Sequence, residues 1–300
     1  MTKRLLIMIL CCTTLFDLSA QKRDQKLENI LKDAVKDFRG DIGIHVQHFK
    51  KNKTASIQAD SIFPTASLVK LPLLVGVFQK IDQGQLMLKT NYVYRTERTY
   101  SGSGLMQFFK DSVDVDLSTM ISLMLSYSDN VASIWCQELA GGGLAINPLM
   151  EKLGLMNTKV NSRTVGREAA WQQYGWGETT PRDMVNLISL IRQGKVFDER
   201  LSEKMYRYLK NQYYNGRSLA QFPADIATAS KTGSIDKARG EVVFVHAPSG
   251  DFAFSVLTKN NEDTQWTSAN EAEVLTRKIA ALLWNYFEPK NQYEAFDPVE

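Results

Sequence analysis

The 300-residue chain is 44% hydrophobic and 23% charged, an ordinary globular composition that excludes a disordered or fibrous protein. Thirty-six basic residues against 33 acidic ones leave a net charge of +3 with no Lys/Arg block, so the footprint of a nucleic-acid binder is missing and a small-molecule partner is expected. At this length roughly three quarters of the unfolded chain's surface can be buried, enough for one large domain without a disulfide or metal staple.

Lys3 and Arg4 precede a mostly apolar run at 5–16, and Leu18-Ser19-Ala20 sets small residues before Gln21, the pattern of an export signal over 1–20 that is cleaved. The run is short for a bilayer span; an uncleaved anchor is the alternative. Cys11 and Cys12 lie inside this segment, which leaves Cys136 alone in 21–300, where its apolar helical setting reads as a buried, inert thiol. Removing the leader takes away Lys3, Arg4 and Asp17, and the charge stays near zero.

Leu27, Ile30, Leu31, Val35 and Phe38 recur at helical spacing over 25–38. Ile42, Ile44 and Val46 alternate with Gly43, His45 and Gln47, and after a Lys/Asn turn Ala55-Ser56-Ile57 completes a hairpin. From about 66 to 210 the period is 3.6, with helices expected at 68–82, 117–127, 131–139, 146–152, 181–193 and 200–209, joined by polar or glycine-rich connections such as Gly141-Gly142-Gly143. Alternation returns beyond 225, where 241–245 and 252–257 flank Pro248-Ser249-Gly250 as a second hairpin. A last helix over 268–287 carries Val274, Ile279, Leu282 and Leu283 on its apolar side. Two hairpins with one apolar face each join most economically in one antiparallel sheet covered by the terminal helices, beside an all-helical block. The expected fold is α/β of the α+β kind. It forms a single domain over 21–300, with its sheet region at about 21–65 and 211–300, its helical region at about 66–210, and a cleft between them.

Ser67 and Lys70 open the helical block three residues apart, on one helix face, so the amine can reach the hydroxyl. A serine hydroxyl is weak until a neighbour takes its proton, and a lysine can do so only when desolvation or positive charge lowers its pKa. The spacing recurs at Ser19/Lys22 and Ser234/Lys237, and alone it suits an N-cap serine beside a solvated lysine. Pro72 removes a backbone donor within the second turn, a local irregularity tolerated most at functional sites. Ser128-Asp129-Asn130 lies between two amphipathic helices and equally suits a plain helix start. In Lys231-Thr232-Gly233-Ser234, at the entrance to the strand region, Lys231 and Gly233 share one strand face and Thr232 and Ser234 the other; the glycine permits close approach of a substrate or marks an edge bulge. His45 and His48 fall on opposite strand faces, and with His246 they show no metal-ligand spacing. With no glycine-rich phosphate loop either, neither a metal nor another cofactor is expected.

Ser-x-x-Lys, then Ser-Asp-Asn, then Lys-Thr-Gly, in this order, resembles the class A β-lactamases and penicillin-recognising serine hydrolases. The resemblance runs from about 25 to 290 and takes in the hairpin before Ser67, the 154–184 stretch with its Thr179-Thr180-Pro181-Arg182-Asp183-Met184 end, and the hairpin after Arg239-Gly240. It implies that Ser67 attacks a carbonyl and is acylated, Lys70 handles its proton, and Ser128 relays a proton to the leaving nitrogen. It implies that Asn130 holds the substrate's side-chain amide and that Lys231 and Thr232 bind its carboxylate, Lys231 also depressing Lys70. The backbone amides of Ser67 and Ser234 would form the oxyanion hole, with Gly233 lining the substrate strand. Arg239 would reach the same carboxylate from the neighbouring strand, or be a surface arginine. Tyr100, before Ser101-Gly102-Ser103-Gly104, would stand at the cleft rim or pack on its own loop.

The pattern is broken at one place. Class A enzymes carry a water-activating glutamate, two residues after an arginine, in the loop after Leu-Gly; counted on from Gly154 these positions are Thr164 and Ser162. Glu168 is a substitute base or a solvated loop glutamate. The expectation is an exported, periplasmic or secreted, monomeric serine hydrolase, free of membrane once the signal is cleaved, that turns over β-lactams. The same nucleophile also suits a D-alanyl-D-alanine peptidase or esterase with a peptidoglycan-like acyl donor, or a penicillin-binding module that stays acylated.

Overall fold

A computed structural model describes residues 21–294; the export-signal reading, with Cys11 and Cys12, concerns 1–20 and lies outside the described residues. Strand β1 (Lys22–Arg23) leads into α1 (Gln25–Val35), whose start is fixed by the Asp24 carboxylate accepting the Leu27 N–H. The alternating Ile42, Ile44 and Val46 are buried on β2 (Asp41–His48), which pairs antiparallel with β3 (Lys53–Ile57).

β4 (Phe63–Pro64) is followed by a 3-10 turn, Ala66–Val69, and by α2 (Lys70–Asp82). Pro72 therefore stands in the first turn of α2, where N–H groups have no intrahelical acceptor, and the irregularity expected there vanishes. The central block is not all helical: β5 (Asn91–Val93) pairs with β6 (Asp114–Asp116) before α3 (Leu117–Ser126), α4 (Asn130–Leu139) and α5 (Gly142–Lys152). Gly142 and Gly143 open α5 instead of connecting helices, and a Cβ on Gly143 would collide with the Thr164 side chain. β7 (Lys159–Val160), α6 (Glu168–Tyr174) and β8 (Gly177–Thr179) make up the loop region, with β8 between β4 and β7 in a small sheet. The helices α7 (Pro181–Arg192) and α8 (Glu199–Leu209) close the block.

The C-terminal strands form a meander of three, not a single hairpin: β9 (Thr228–Ile235), β10 (Ala238–Val245) and β11 (Phe252–Lys259). The sheet order is β1-β3-β2-β11-β10-β9, antiparallel throughout except for β1 beside β3. One face buries Ile44, Val243 and Phe254 against Leu27 and Leu31 of α1 and Ile279, Leu283 and Trp284 of the last helix, α9 (Glu271–Phe287). Val274 faces solvent instead of the core. The other face, through Val242, Phe244 and Leu257, joins the core of the helical block. Cys136 is buried inside that block, and burial pushes its thiol up to about 12. The edge strand β9 thus runs beside the turn that carries Ser67.

Candidate active site

The turn before α2 is locally strained and closely held. Ala66 has φ of 43°, a left-handed conformation that costs a non-glycine residue energy and is found where surrounding structure enforces it. The Thr65 N–H donates to Gly177 O (2.9 Å) and the Leu68 N–H to Thr65 O (2.9 Å). β9 presses on this turn from the other side: a Cβ on Gly233 would sit 2.6 Å from Thr65 O and 3.0 Å from both Ser67 N and Leu68 N. The close approach that Gly233 permits is made by the protein's own backbone at the 65–68 turn.

Lys70, fully buried, gathers the motif residues. Its Nζ lies 3.0 Å from Ser67 Oγ, 3.0 Å from Ser128 Oγ, 2.5 Å from Ser128 O and 3.0 Å from Asn130 Oδ1. Burial lowers its pKa to about 7, with Asp129 pulling the other way, so a neutral amine is available near neutrality to take the Ser67 proton. Ser128, at φ 54°, turns both its carbonyl and its hydroxyl toward the amine. Lys231 Nζ reaches the same hydroxyl at 3.1 Å and Thr232 O at 2.9 Å. Its pKa is also well below the usual lysine range, through burial, then Lys70, then Arg217, with Glu241 opposing. The Ser128 hydroxyl thus bridges two buried amines that cannot both hold a proton cheaply, the arrangement of a proton relay.

Asp129 proves to be the helix cap and more. Its Oδ1 accepts the Ala132 N–H (2.9 Å) at the start of α4, and its Oδ2 accepts the Leu105 and Met106 N–H groups (2.6 and 2.7 Å). It so ties the 101–106 loop to α4, and Gly104, at φ 111°, leaves the room: a Cβ there would overlap the carboxylate. Asn130 donates from its backbone to Ser103 O (2.9 Å) and from Nδ2 to Ser101 O (3.3 Å). Tyr100 is exposed at the rim, edge-on to Trp176 at 5.6 Å between ring centroids.

The basic end differs from expectation. Arg239 lies across from Ser234 on the sheet face opposite Lys231, and its buried guanidinium curls onto the β9–β10 turn, donating to the carbonyls of Ile235, Ala238 (3.1 Å) and Gln265 (2.9 Å) under the Trp266 ring. It is neither a surface arginine nor a cation in the cleft. The arginine that reaches the Ser234 side chain is Arg217: Nη2 donates to Ser234 Oγ (2.6 Å) and pairs with Glu273 (2.6 Å), and Nη1 reaches Gly240 O (3.2 Å). Thr232 is buried on the face of Ser234, opposite Glu241 in register. Arg217 carried no signal in the sequence, since it lies within an aperiodic connection between α8 and β9, just before a 3-10 turn at Ser218–Gln221.

The loop region holds no carboxylate among the partners of Lys70. Thr164 packs on α5 and donates to Ser162 O (3.0 Å). Glu168, for which a substitute base and a solvated loop glutamate were the two expectations, is exposed in the first turn of α6 and accepts the Gly166 N–H (3.1 Å). Glu178 is buried but clamped by Arg167 (2.6 Å) and Asn161 (3.3 Å). The loop side chain that faces Lys70 is Trp176, its ring centroid 5.9 Å from Nζ, a residue to which the sequence assigned no role. Among the described residues no three His, Cys, Asp or Glu side chains gather as metal ligands. No described helix is long and apolar enough to cross a membrane.

Residues 25–287 match the profile described as the beta-lactamase enzyme family. The β-lactamase VEB-1 of Pseudomonas aeruginosa is 24% identical over 304 aligned residues, covering 95% of this chain and 98% of its own. Among solved structures, a PBP-A variant in an acyl-enzyme complex with penicillin G superposes with a TM-score of 0.80 at 22% identity, over 91% of this chain and 100% of that one. A β-lactamase from Sphaerobacter thermophilus gives 0.78 at 24% identity, over 88% and 97%.

Proposed function

Because the chain belongs to the beta-lactamase enzyme family and is a serine hydrolase of that type, we propose that its substrates are β-lactams, which acylate Ser67 and are then hydrolysed. The observation that carries this reading is the Lys70 amine, buried, lowered to about 7 and 3.0 Å from Ser67 Oγ. Neutral Lys70 takes the Ser67 proton as Oγ bonds to the lactam carbonyl carbon. The C–N bond breaks, the nitrogen takes its proton from Ser128, and Ser128 recovers one from the amines beside it. The N–H groups of Ser67 and Ser234 hold the developing oxyanion. Asn130 binds the acyl side-chain amide, and Lys231, Thr232 and Arg217 anchor the substrate carboxylate, with Arg217 in the role the sequence suggested for Arg239. The protein acts as an exported monomer, in the periplasm or secreted.

A second reading, a penicillin-binding protein that remains acylated, is favoured by one observation: no loop carboxylate stands beside Lys70. The experiment follows substrate absorbance and intact mass together after mixing with penicillin G. Substrate loss far beyond one equivalent with little adduct supports the hydrolase. A lasting one-to-one adduct supports the second reading. No adduct and no loss overturns both and turns the search to peptide or ester donors.

A further inference from the structure

Trp176 enters the site on a pinned backbone. Its carbonyl accepts the Asn161 and Ser162 N–H groups (2.9 and 3.1 Å), and the carbonyl of the next residue, Gly177, accepts the Thr65 N–H two residues before the nucleophile. The ring lies 5.9 Å from Lys70 Nζ on one side and is backed by Tyr100, edge-on at 72°, with the Arg163 guanidinium 5.8 Å over the Tyr100 ring. Both carboxylates of the loop are turned elsewhere, Glu168 to the Gly166 N–H and Glu178 to Arg167 and Asn161.

We infer that Trp176, backed by Tyr100, is an apolar wall that keeps water away from Lys70 once Ser67 is acylated, and so sets the lifetime of the acyl-enzyme; this rests on the acylation of Ser67 proposed above. In hydrolysis a water oxygen bonds to the ester carbon and its proton passes to Lys70 Nζ. The carbon–oxygen bond to Ser67 then breaks, and the proton returns to Ser67 Oγ as the free acid departs. That water needs an acceptor beside the ester, and an indole offers only a donor N–H and an apolar face. Acylation is not hindered in this way, since the proton removed is that of Ser67 itself, already 3.0 Å from the amine. The wall therefore slows the second half-reaction and spares the first.

The test measures both halves by quenched-flow intact mass with penicillin G, on the unaltered protein, Trp176→Ala, Trp176→Leu and Tyr100→Ala, each checked for cooperative melting. Trp176→Ala is expected to shorten the adduct's lifetime by about tenfold or more while acylation stays within about threefold. Trp176→Leu, apolar but without a ring face for the amine, is expected to keep the long lifetime, and Tyr100→Ala to shorten it. An unchanged lifetime in both alanine variants overturns the inference. So does a leucine variant as short-lived as Trp176→Ala, which would assign the effect to the ring's contact with the amine. Rapid loss of penicillin G without an accumulating adduct in the unaltered protein would also overturn the inference, whereas neither adduct nor substrate loss would overturn the acyl-enzyme reading beneath it.

Discussion

Gly233→Ala tests how the sheet edge positions the nucleophile. The added Cβ would stand 2.6 Å from Thr65 O, about 0.8 Å inside the 3.4 Å at which ordinary contact begins, with two further backbone atoms at 3.0 Å. All three neighbours are backbone atoms of the 65–68 turn, so no side chain can swing aside; either that turn or β9 must move by a large fraction of an ångström. Overpacking of this kind costs about 1–3 kcal/mol, which in a domain of this size lowers the melting temperature by roughly 2–10 °C. The effect on chemistry is larger, because misplacing a reacting group by about 1 Å costs on the order of 100-fold in rate. The assay is the acylation rate against concentration of a fluorescent penicillin, with melting followed in parallel. The expected result is acylation slowed about 100-fold even at saturation in a protein that still melts cooperatively. Saturating acylation within about threefold of the unaltered protein, with only the half-saturating concentration raised, would refute the argument and return Gly233 to a role in admitting substrate.

Three further outcomes follow from the same geometry. Lys70 works as a base only when neutral, and with its pKa near 7 it loses that capacity as pH falls; acylation should drop about tenfold per unit below neutrality and level off above it, and a flat profile from pH 5 to 8 would assign the proton to another group. Arg217→Ala should weaken capture of carboxylate-bearing β-lactams by about tenfold or more with little change in melting, whereas Arg239→Ala, which strips the β9–β10 turn of its buried donor, should lower the melting temperature; a reversed pattern in kcat/KM and Tm would contradict the assignment. Glu168→Gln should leave the adduct's decay unchanged, since the carboxylate only accepts the Gly166 N–H; slowed decay would restore it as the base.

The grouping of the candidate site around Lys70 was legible in the sequence because short-range geometry fixes much of it. A three-residue step in a helical turn brings Ser67 to Lys70, and strand parity puts Lys231 on the face of Gly233, toward the helical block. Asp129 was equally readable as a cap, though its second oxygen, which holds the 101–106 loop, was not. Failures fell where long-range packing decides. Arg239 occupies the right strand, but the turn's carbonyls and Trp266 draw its side chain back. Arg217 reaches the site from a loop without periodicity. Counting from Gly154 reaches Thr164, which packs against Gly143, but it could not show that Trp176, twelve residues further on, is the loop side chain at Lys70. The glycines at 142 and 143 read as a connection because glycine disfavours helices, yet the tight contact with Thr164 requires Gly143 inside one.

The central claim, that Ser67 is acylated, is tested most directly by penicillin G labelling stopped with acid during turnover and followed by peptide mass mapping of the unaltered protein and of Ser67→Ala. A single adduct on the peptide carrying Ser67, absent from a folded Ser67→Ala protein, is the expected result. An adduct that persists in Ser67→Ala, or that maps to any other residue, would contradict the account.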